Sequence, residues 1–152
     1  MTPDGRAPTA TSWQGTVISD RDHVREDFRP LTGREREILE FLLSVEIPGI
    51  EELREQVPYA RAARWGCGCA SFNVVIDRDA PRSTITRSPA VEAYSKERTD
   101  ADKAYDLLLW VDEGWLAGVE LVDFVERHGE QSPEVIPPLD YWDEPRPYKP
   151  AA

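Results

Sequence analysis

Side chains that bind soft metals or form covalent intermediates are scarce in this sequence. Its 152 residues include two cysteines and two histidines. A structural zinc site takes about four such ligands, so it would need both cysteines together with the distant His23 and His128. The Gly-rich phosphate loop, the His-Glu-x-x-His motif, the Gly-x-Ser-x-Gly elbow and the calcium loop are also missing. These absences favour a protein that is not an enzyme and uses no cofactor.

Positive charge and long apolar runs are in short supply as well. Against 29 Asp and Glu there are 18 Lys and Arg, a formal net charge of −11. Such a chain repels phosphate backbones, which excludes nucleic acid as a general partner and favours a basic one. No apolar run approaches the roughly 20 residues that cross a bilayer, and the first residues lack the order of a signal peptide. We therefore expect a cytoplasmic protein without a membrane partner.

The residues that are present describe a soluble globular protein. Hydrophobic residues make up 40% and charged residues 31% of a chain whose length suits one core. We expect a loosely ordered arm over residues 1–27, a single domain over 28–142 and a disordered tail over 143–152. A monomer and a homodimer are both compatible with the sequence.

Helical periodicity marks the first part of the domain. Thr32-Gly33-Arg34-Glu35 has the pattern of a capping box, and apolar residues then recur at helical spacing over 33–44. Pro48 interrupts the pattern, and a second helix is expected over 50–57. The sequence therefore predicts an N-terminal helical pair.

Beyond Pro58 the apolar period falls to two, which is typical of strands. Residues 59–65 and 71–77 are expected to pair as one hairpin. Residues 104–125 are expected to form a second, central hairpin, closed at Asp112-Glu113-Gly114 with Gly114 in the left-handed conformation. The prediction is an α+β fold in which the helical pair packs on an antiparallel sheet of four to five strands.

Six of the 13 prolines follow Glu126, so regular structure there should be short. The apolar residues of this segment are too many to remain in solvent. We expect the Pro-rich C-terminal segment to wrap the sheet. Residues 107–111 should then be covered on both faces, by the helical pair and by this segment.

Cys67-Gly68-Cys69 is the main candidate for chemistry, because two nearby thiols can bind a metal or react. A catalytic site would need a partner such as His128, brought close by folding. The alternative is structural: a Gly-rich turn holding two small packed thiols. The sequence leaves a thiol-dependent, redox or metal role for Cys67 and Cys69 open beside the structural one.

Aromatic and acidic side chains are the candidate binding residues, since Trp and Tyr are common anchors at interfaces. They are Trp110, Trp115, Glu120, Tyr141 and Trp142. Alternation places Glu120 on an apolar face with Leu116 and Gly118, where a carboxylate needs a partner. Arg61 or Arg64 from the first hairpin is the expected one.

Four short patterns carry a family resemblance. They are Leu31-Thr32-x-Arg34-Glu35, Pro48-Gly49-x-x-x-Leu53-x-x-Gln56, Cys67-Gly68-Cys69-x-Ser71 and Gly118-Val119-Glu120-Leu121. Together they resemble a family of small actinobacterial proteins of unknown function, over about residues 30–124. The resemblance implies no activity and no catalytic residue. The sequence-based hypothesis is therefore an acidic binding or accessory protein, inhibitor-like or immunity-like, that recognises a basic protein partner.

Overall fold

A computed structural model describes residues 28–66, 70–99, 104–123 and 135–149. The helices of this part of the chain are α1 (Gly33–Leu42) and α2 (Ile50–Gln56), with short 3-10 turns at Val57–Tyr59 and Leu139–Tyr141. The strands are β1 (Arg29–Pro30), β2 (Ala60–Arg64), β3 (Phe72–Ile76), β4 (Val91–Tyr94), β5 (Tyr105–Asp112), β6 (Trp115–Asp123) and β7 (Arg146–Pro147). None of the helices described has the length and apolar character to cross a membrane.

Helix α1 begins as the capping box predicts. The Glu35 amide donates to the Thr32 hydroxyl at 3.1 Å, and the Thr32 amide donates to the Glu35 carboxylate at 2.9 Å. The helix ends at Leu42, before the expected position 44. Ser44 turns the chain out of the helix, because its amide and its hydroxyl both donate to the Phe41 carbonyl, at 3.1 and 2.7 Å.

Replacing Thr32 by Ala should destabilise the protein by about 1 kcal/mol, because the Glu35 amide loses its acceptor while the fold stays otherwise intact. Chemical denaturation of T32A and wild type measures this difference. Thr32→Ser keeps the hydroxyl and serves as the matched control, which should be about as stable as wild type because Ser caps helices at least as well as Thr. A T32A protein as stable as wild type would show that the cap contributes nothing.

The strands form one antiparallel sheet with the order β1-β2-β3-β6-β5-β4-β7. The α+β class and both predicted hairpins are confirmed, since β2 pairs with β3 and β5 with β6. The predicted strand number is wrong, because the described residues contribute seven strands. The helical pair is also not the first structure along the chain, because β1 precedes α1. The extra strands are four residues long or shorter, too short to show a period of two.

The central hairpin closes through Glu113 and Gly114, which have φ angles of 53° and 89°. Two consecutive positive φ angles suit the right-handed twist of the strands. Leu107, Leu109 and Val111 on β5 are at most 2% exposed and face the helices. The other face of β5 was expected to be covered too, but its side chains remain half-buried.

A bulge divides strand β6. Trp110 pairs with Gly118, but Val111 pairs with Leu116, so β6 carries one extra residue at Ala117. The bulge turns Leu116 into the core, where it is 2% exposed. The expectation that Leu116 shares a face with Glu120 is therefore wrong, because simple alternation fails across an inserted residue.

The C-terminal segment follows the edge of β4. Ile136 and Trp142 enter the core, and β7 pairs with β4. The described part of the segment begins beside α1 and β3, where Ile136 lines a cavity with Phe72 and its carbonyl accepts from Arg34, while Val135 is 64% exposed. From there the chain reaches the edge of β4. A disordered tail was expected over 143–152, of which residues 143–149 are described. Among these the Asp143 amide donates to the Tyr94 carbonyl at 2.8 Å, and Arg146–Pro147 is a strand. These residues are ordered because the free hydrogen-bonding edge of β4 accepts β7 as a further strand.

Candidate functional site

The face of the sheet that points away from the helices is called the outer face here. Residues directly paired across antiparallel strands share a face, so the register defines three rows on it. The first contains Asn73, Gly118 and Trp110; the second Glu120, Leu108, Glu92 and Arg146; the third Val122, Asp106 and Tyr94. The outer face therefore combines aromatic and aliphatic side chains with three carboxylates.

Its middle is accessible to solvent. Leu108, Trp110 and Val122 are only half-buried, whereas the residues that alternate with them fill the core. Toward β2 the face is closed by Trp65, 9% exposed, whose indole donates to the Asn73 side-chain oxygen at 3.2 Å. The open part of the outer face thus lies on the central hairpin.

Trp110 and Glu120, both candidates from the sequence, lie together on this open part. The Trp110 indole donates to the Glu120 carboxylate at 3.0 Å. The expected ion pair to Arg61 or Arg64 is not what the register gives: Arg64 pairs with Phe72 on the helix side of the sheet, and Arg61 donates to the Phe28 carbonyl. The cross-strand indole of Trp110 thus supplies a hydrogen bond to the Glu120 carboxylate.

A second group on the outer face contains Glu92, Tyr94 and Asp106 with two arginines. The guanidinium carbons of Arg98 and Arg146 lie 4.2 and 3.8 Å from the centre of the Tyr94 ring. Arg98 also lies 3.4 Å from Asp106, and Arg146 lies 3.6 Å from Glu92. Burial raises the pKa of the Tyr94 phenol, as do the neighbouring carboxylates Glu92 and Asp106, so Tyr94 stays neutral at physiological pH.

The pKa of Asp106 is raised to about 6, first by burial and next, against the opposing effect of Arg98, by the negative charge of Glu92. A carboxyl that binds its proton more tightly in the native state contributes stability below its unfolded pKa near 3.8, and this contribution is lost as the pH rises through about 6.

We expect the Asp106 carboxyl to titrate near pH 6 by NMR. Between about pH 4 and pH 7, wild type should lose stability relative to D106N. A midpoint at or below the ordinary value would contradict the assignment.

The other predicted binding residues lie elsewhere. Trp115 stands at the turn end of the hairpin, with the Arg78 guanidinium 4.2 Å from its ring centre. Trp142 is 3% exposed and donates to the Pro137 carbonyl. Tyr141 packs edge-on against Trp142, with ring centres 5.3 Å apart. The last two complete the packing at the edge of β4 and do not join Trp110 and Glu120.

The thiol candidates Cys67, Cys69 and His128 lie outside the described residues, as does the N-terminal arm over 1–27. Within the residues that the structure describes, no group of three or more His, Cys, Asp or Glu side chains is placed to hold a metal ion. A thiol or metal role for Cys67 and Cys69 stays a prediction.

Charge on the central hairpin has one sign. Between residues 104 and 123 the sequence contains no Lys or Arg, and its acids are Asp106, Asp112, Glu113, Glu120 and Asp123. The charged side chains that the hairpin itself contributes to the outer face, Asp106 and Glu120, are therefore both acidic.

Comparison with known proteins gives a uniform result. The chain matches no protein-family model, no curated protein and no solved structure. The resemblance to small actinobacterial proteins consequently stays a prediction, and the function has to be argued from the geometry.

Reasoning from the sequence missed Asp106, Glu92 and Tyr94, and gave Leu108 and Val122 no binding role. Alternation along β5 does place Asp106, Leu108 and Trp110 on one side, opposite the core leucines. That signal was present, but the expectation that both faces of β5 are covered concealed it. Glu92 and Tyr94 belong to a four-residue strand whose existence the sequence did not indicate.

Proposed function

We propose that this protein is a small acidic binding protein, inhibitor-like or immunity-like, and that it recognises a basic protein partner through the open outer face of its central hairpin. The observation that carries the proposal is the pairing of half-exposed Leu108, Trp110 and Val122 with carboxylates on a hairpin that has no basic residue. Apolar and aromatic surface supplies affinity, and the charges select the partner.

An arginine of the partner fits this chemistry best. The Glu120 carboxylate is already held in place by the Trp110 indole, 3.0 Å away, so little freedom is lost on binding. A guanidinium can stack on the indole ring and pair with the carboxylate beside it. The same face already contains this combination of contacts, because two of the chain's own guanidinium groups stack on Tyr94 next to Glu92 and Asp106.

Apolar contact on this face also strengthens the charged contact. Leu108 lies between Glu120 and Glu92 in the second row, and Val122 lies beside Asp106 in the third. A partner that covers these side chains excludes water from the carboxylates, and ion pairs gain strength as the local dielectric falls. A basic small molecule would neutralise the charge but leave Leu108 and Val122 exposed to water. A protein surface can cover both the charges and the apolar side chains, so a protein is the expected partner.

Photo-crosslinking from two positions tests the proposal. A photoreactive phenylalanine analogue replaces Val122 on the outer face in one variant, and the exposed Glu51 on α2 in the other. We expect the Val122 variant to crosslink a defined protein in cells, one with an excess of Lys and Arg on its contact surface. The Glu51 variant should not crosslink it. The same product from both positions, or an acidic partner at Val122, would overturn the proposal.

A further inference from the structure

A cavity of about 250 Å³ lies on the opposite side of the sheet from the outer face, at the start of α1. Ile38, Ala70, Phe72 and Ile136 form its apolar part. Three arginines and one glutamate supply its charge: Arg29, Arg34, Arg64 and Glu35. We call it the arginine cavity. An excess of positive side chains around an apolar floor is unexpected in a chain with a net charge of −11.

Arg29 and Glu35 balance each other. Both guanidinium nitrogens of Arg29 donate to the two Glu35 oxygens, at 2.5 and 2.9 Å. One of those oxygens also accepts from the Thr32 amide. The Arg29 pKa is raised, chiefly by the hydrogen bonds to Glu35. This fork pairs the charge of Arg29 with that of Glu35 inside the cavity.

Arg34 has a donor without an acceptor. One terminal nitrogen donates to the Ile136 carbonyl, and the other lies 3.5 Å from Glu37, whose side chain is 51% exposed. The Arg34 Nε, in contrast, is buried and has no hydrogen-bond partner among the described residues. Buried donors in proteins are nearly always hydrogen-bonded, so this one points to an acceptor that completes the site.

We propose that the arginine cavity binds a small organic carboxylate with a compact apolar body. The carboxylate would accept a hydrogen bond from the Arg34 Nε and interact with the charge of that guanidinium group, since guanidinium groups match carboxylates in shape and charge. The body of the ligand would rest on Ile38, Ala70 and Phe72. A volume of about 250 Å³ is below the range of drug-sized pockets, which limits the ligand to roughly the size of one aromatic ring with a short side chain.

Phenylacetate is a suitable probe, and 2-phenylethanol has nearly the same shape without the charge. Titration followed by NMR of the full chain should show saturable phenylacetate binding, with shifts at the Phe72 ring and the Ile38 methyl groups. Binding of 2-phenylethanol should be at least about tenfold weaker, because a charged pair contributes about 1.5 to 3 kcal/mol. Inorganic phosphate, which lacks the apolar body, should also bind at least about tenfold more weakly.

Variants separate this site from general attraction of anions. Arg34→Gln should weaken phenylacetate binding about tenfold or more, whereas Arg36→Gln removes the same charge from an exposed position on α1 and should leave it unchanged. Arg34 also donates to the Ile136 carbonyl, so R34Q could disturb the fold as well as the site. Ala70→Val is a second variant that fills the apolar part of the cavity, keeps every arginine and should also weaken phenylacetate binding. Equal binding of 2-phenylethanol or phosphate, equal effects of both arginine variants, or no saturable binding would overturn the proposal.

Discussion

Replacing Gln56 by Leu should lower the free energy of unfolding by about 3 to 5 kcal/mol. Gln56 is fully buried at the end of α2. Its amide nitrogen donates to the Pro81 and Gly114 carbonyls at 2.8 and 2.9 Å, and its oxygen accepts from the Leu116 amide at 2.9 Å. Leucine has a similar volume but cannot bond, so these backbone groups lose an interaction inside the protein. Urea denaturation of Q56L and wild type measures the loss.

The neighbouring Glu55 is exposed, so Glu55→Leu is the control and should stay within about 0.5 kcal/mol of wild type. Gln56 connects α2 to the turn of the central hairpin, because Gly114 closes that turn and Leu116 is the second residue of β6 beyond it. The variant should therefore also broaden the NMR signals of the hairpin turn. A loss below about 1 kcal/mol would mean that water replaces the side chain without cost.

Trp110→Ala should weaken binding of the crosslinked partner by about thirtyfold or more, which corresponds to about 2 kcal/mol for an aromatic anchor. The substitution removes the ring on which a guanidinium stacks, and it releases the Glu120 carboxylate from the indole that orients it. Isothermal titration calorimetry of wild type and W110A with the purified partner measures the change.

Two further variants show which part of the contact matters. Glu120→Gln retains the shape and removes the charge, and it should weaken binding most at low salt, because ionic strength screens the interaction. Glu51→Gln removes the same charge from the exposed surface of α2 and should have no effect beyond a small change in association rate. If W110A and E51Q behaved alike, the contact would not lie on the outer face.

Local chemistry made part of the fold predictable. The start of α1 depends on Thr32 and Glu35, three residues apart, and the hairpin turn depends on the positive φ of Gly114. Each of these signals acts between neighbours in the chain, where spacing alone decides the geometry. The pairing of β2 with β3 followed for the same reason, because short segments with a period of two tend to pair when they are adjacent.

Long-range pairing made the rest unpredictable. Strands β1 and β7 consist of two residues each, and they exist because the free edges of β2 and β4 accept them. The bulge at Ala117 depends on how β6 meets β5, and it reverses the side to which Leu116 points. No local pattern contains this information, since register is set by the partner strand.

The candidate site shows the same division. Trp110 and Glu120 were each selected from the sequence, but their contact depends on Leu108 pairing with Glu120 and on Trp110 pairing with Gly118. The carboxylate was expected to find an arginine, and it found an indole because that side chain is its diagonal neighbour across the hairpin. The residue types indicated a binding role, but only the register of β5 and β6 shows that these side chains lie together.

Methyl and indole NMR of this protein with its crosslinked partner shows which face of the sheet binds the partner. We predict that the methyl signals of Leu108 and Val122 and the Trp110 indole signal shift on binding. The signals of Val45 and Ile47, which lie beside the helices and are similarly half-buried, should stay in place. Shifts at Val45 and Ile47 with Leu108, Val122 and Trp110 unchanged would contradict the account.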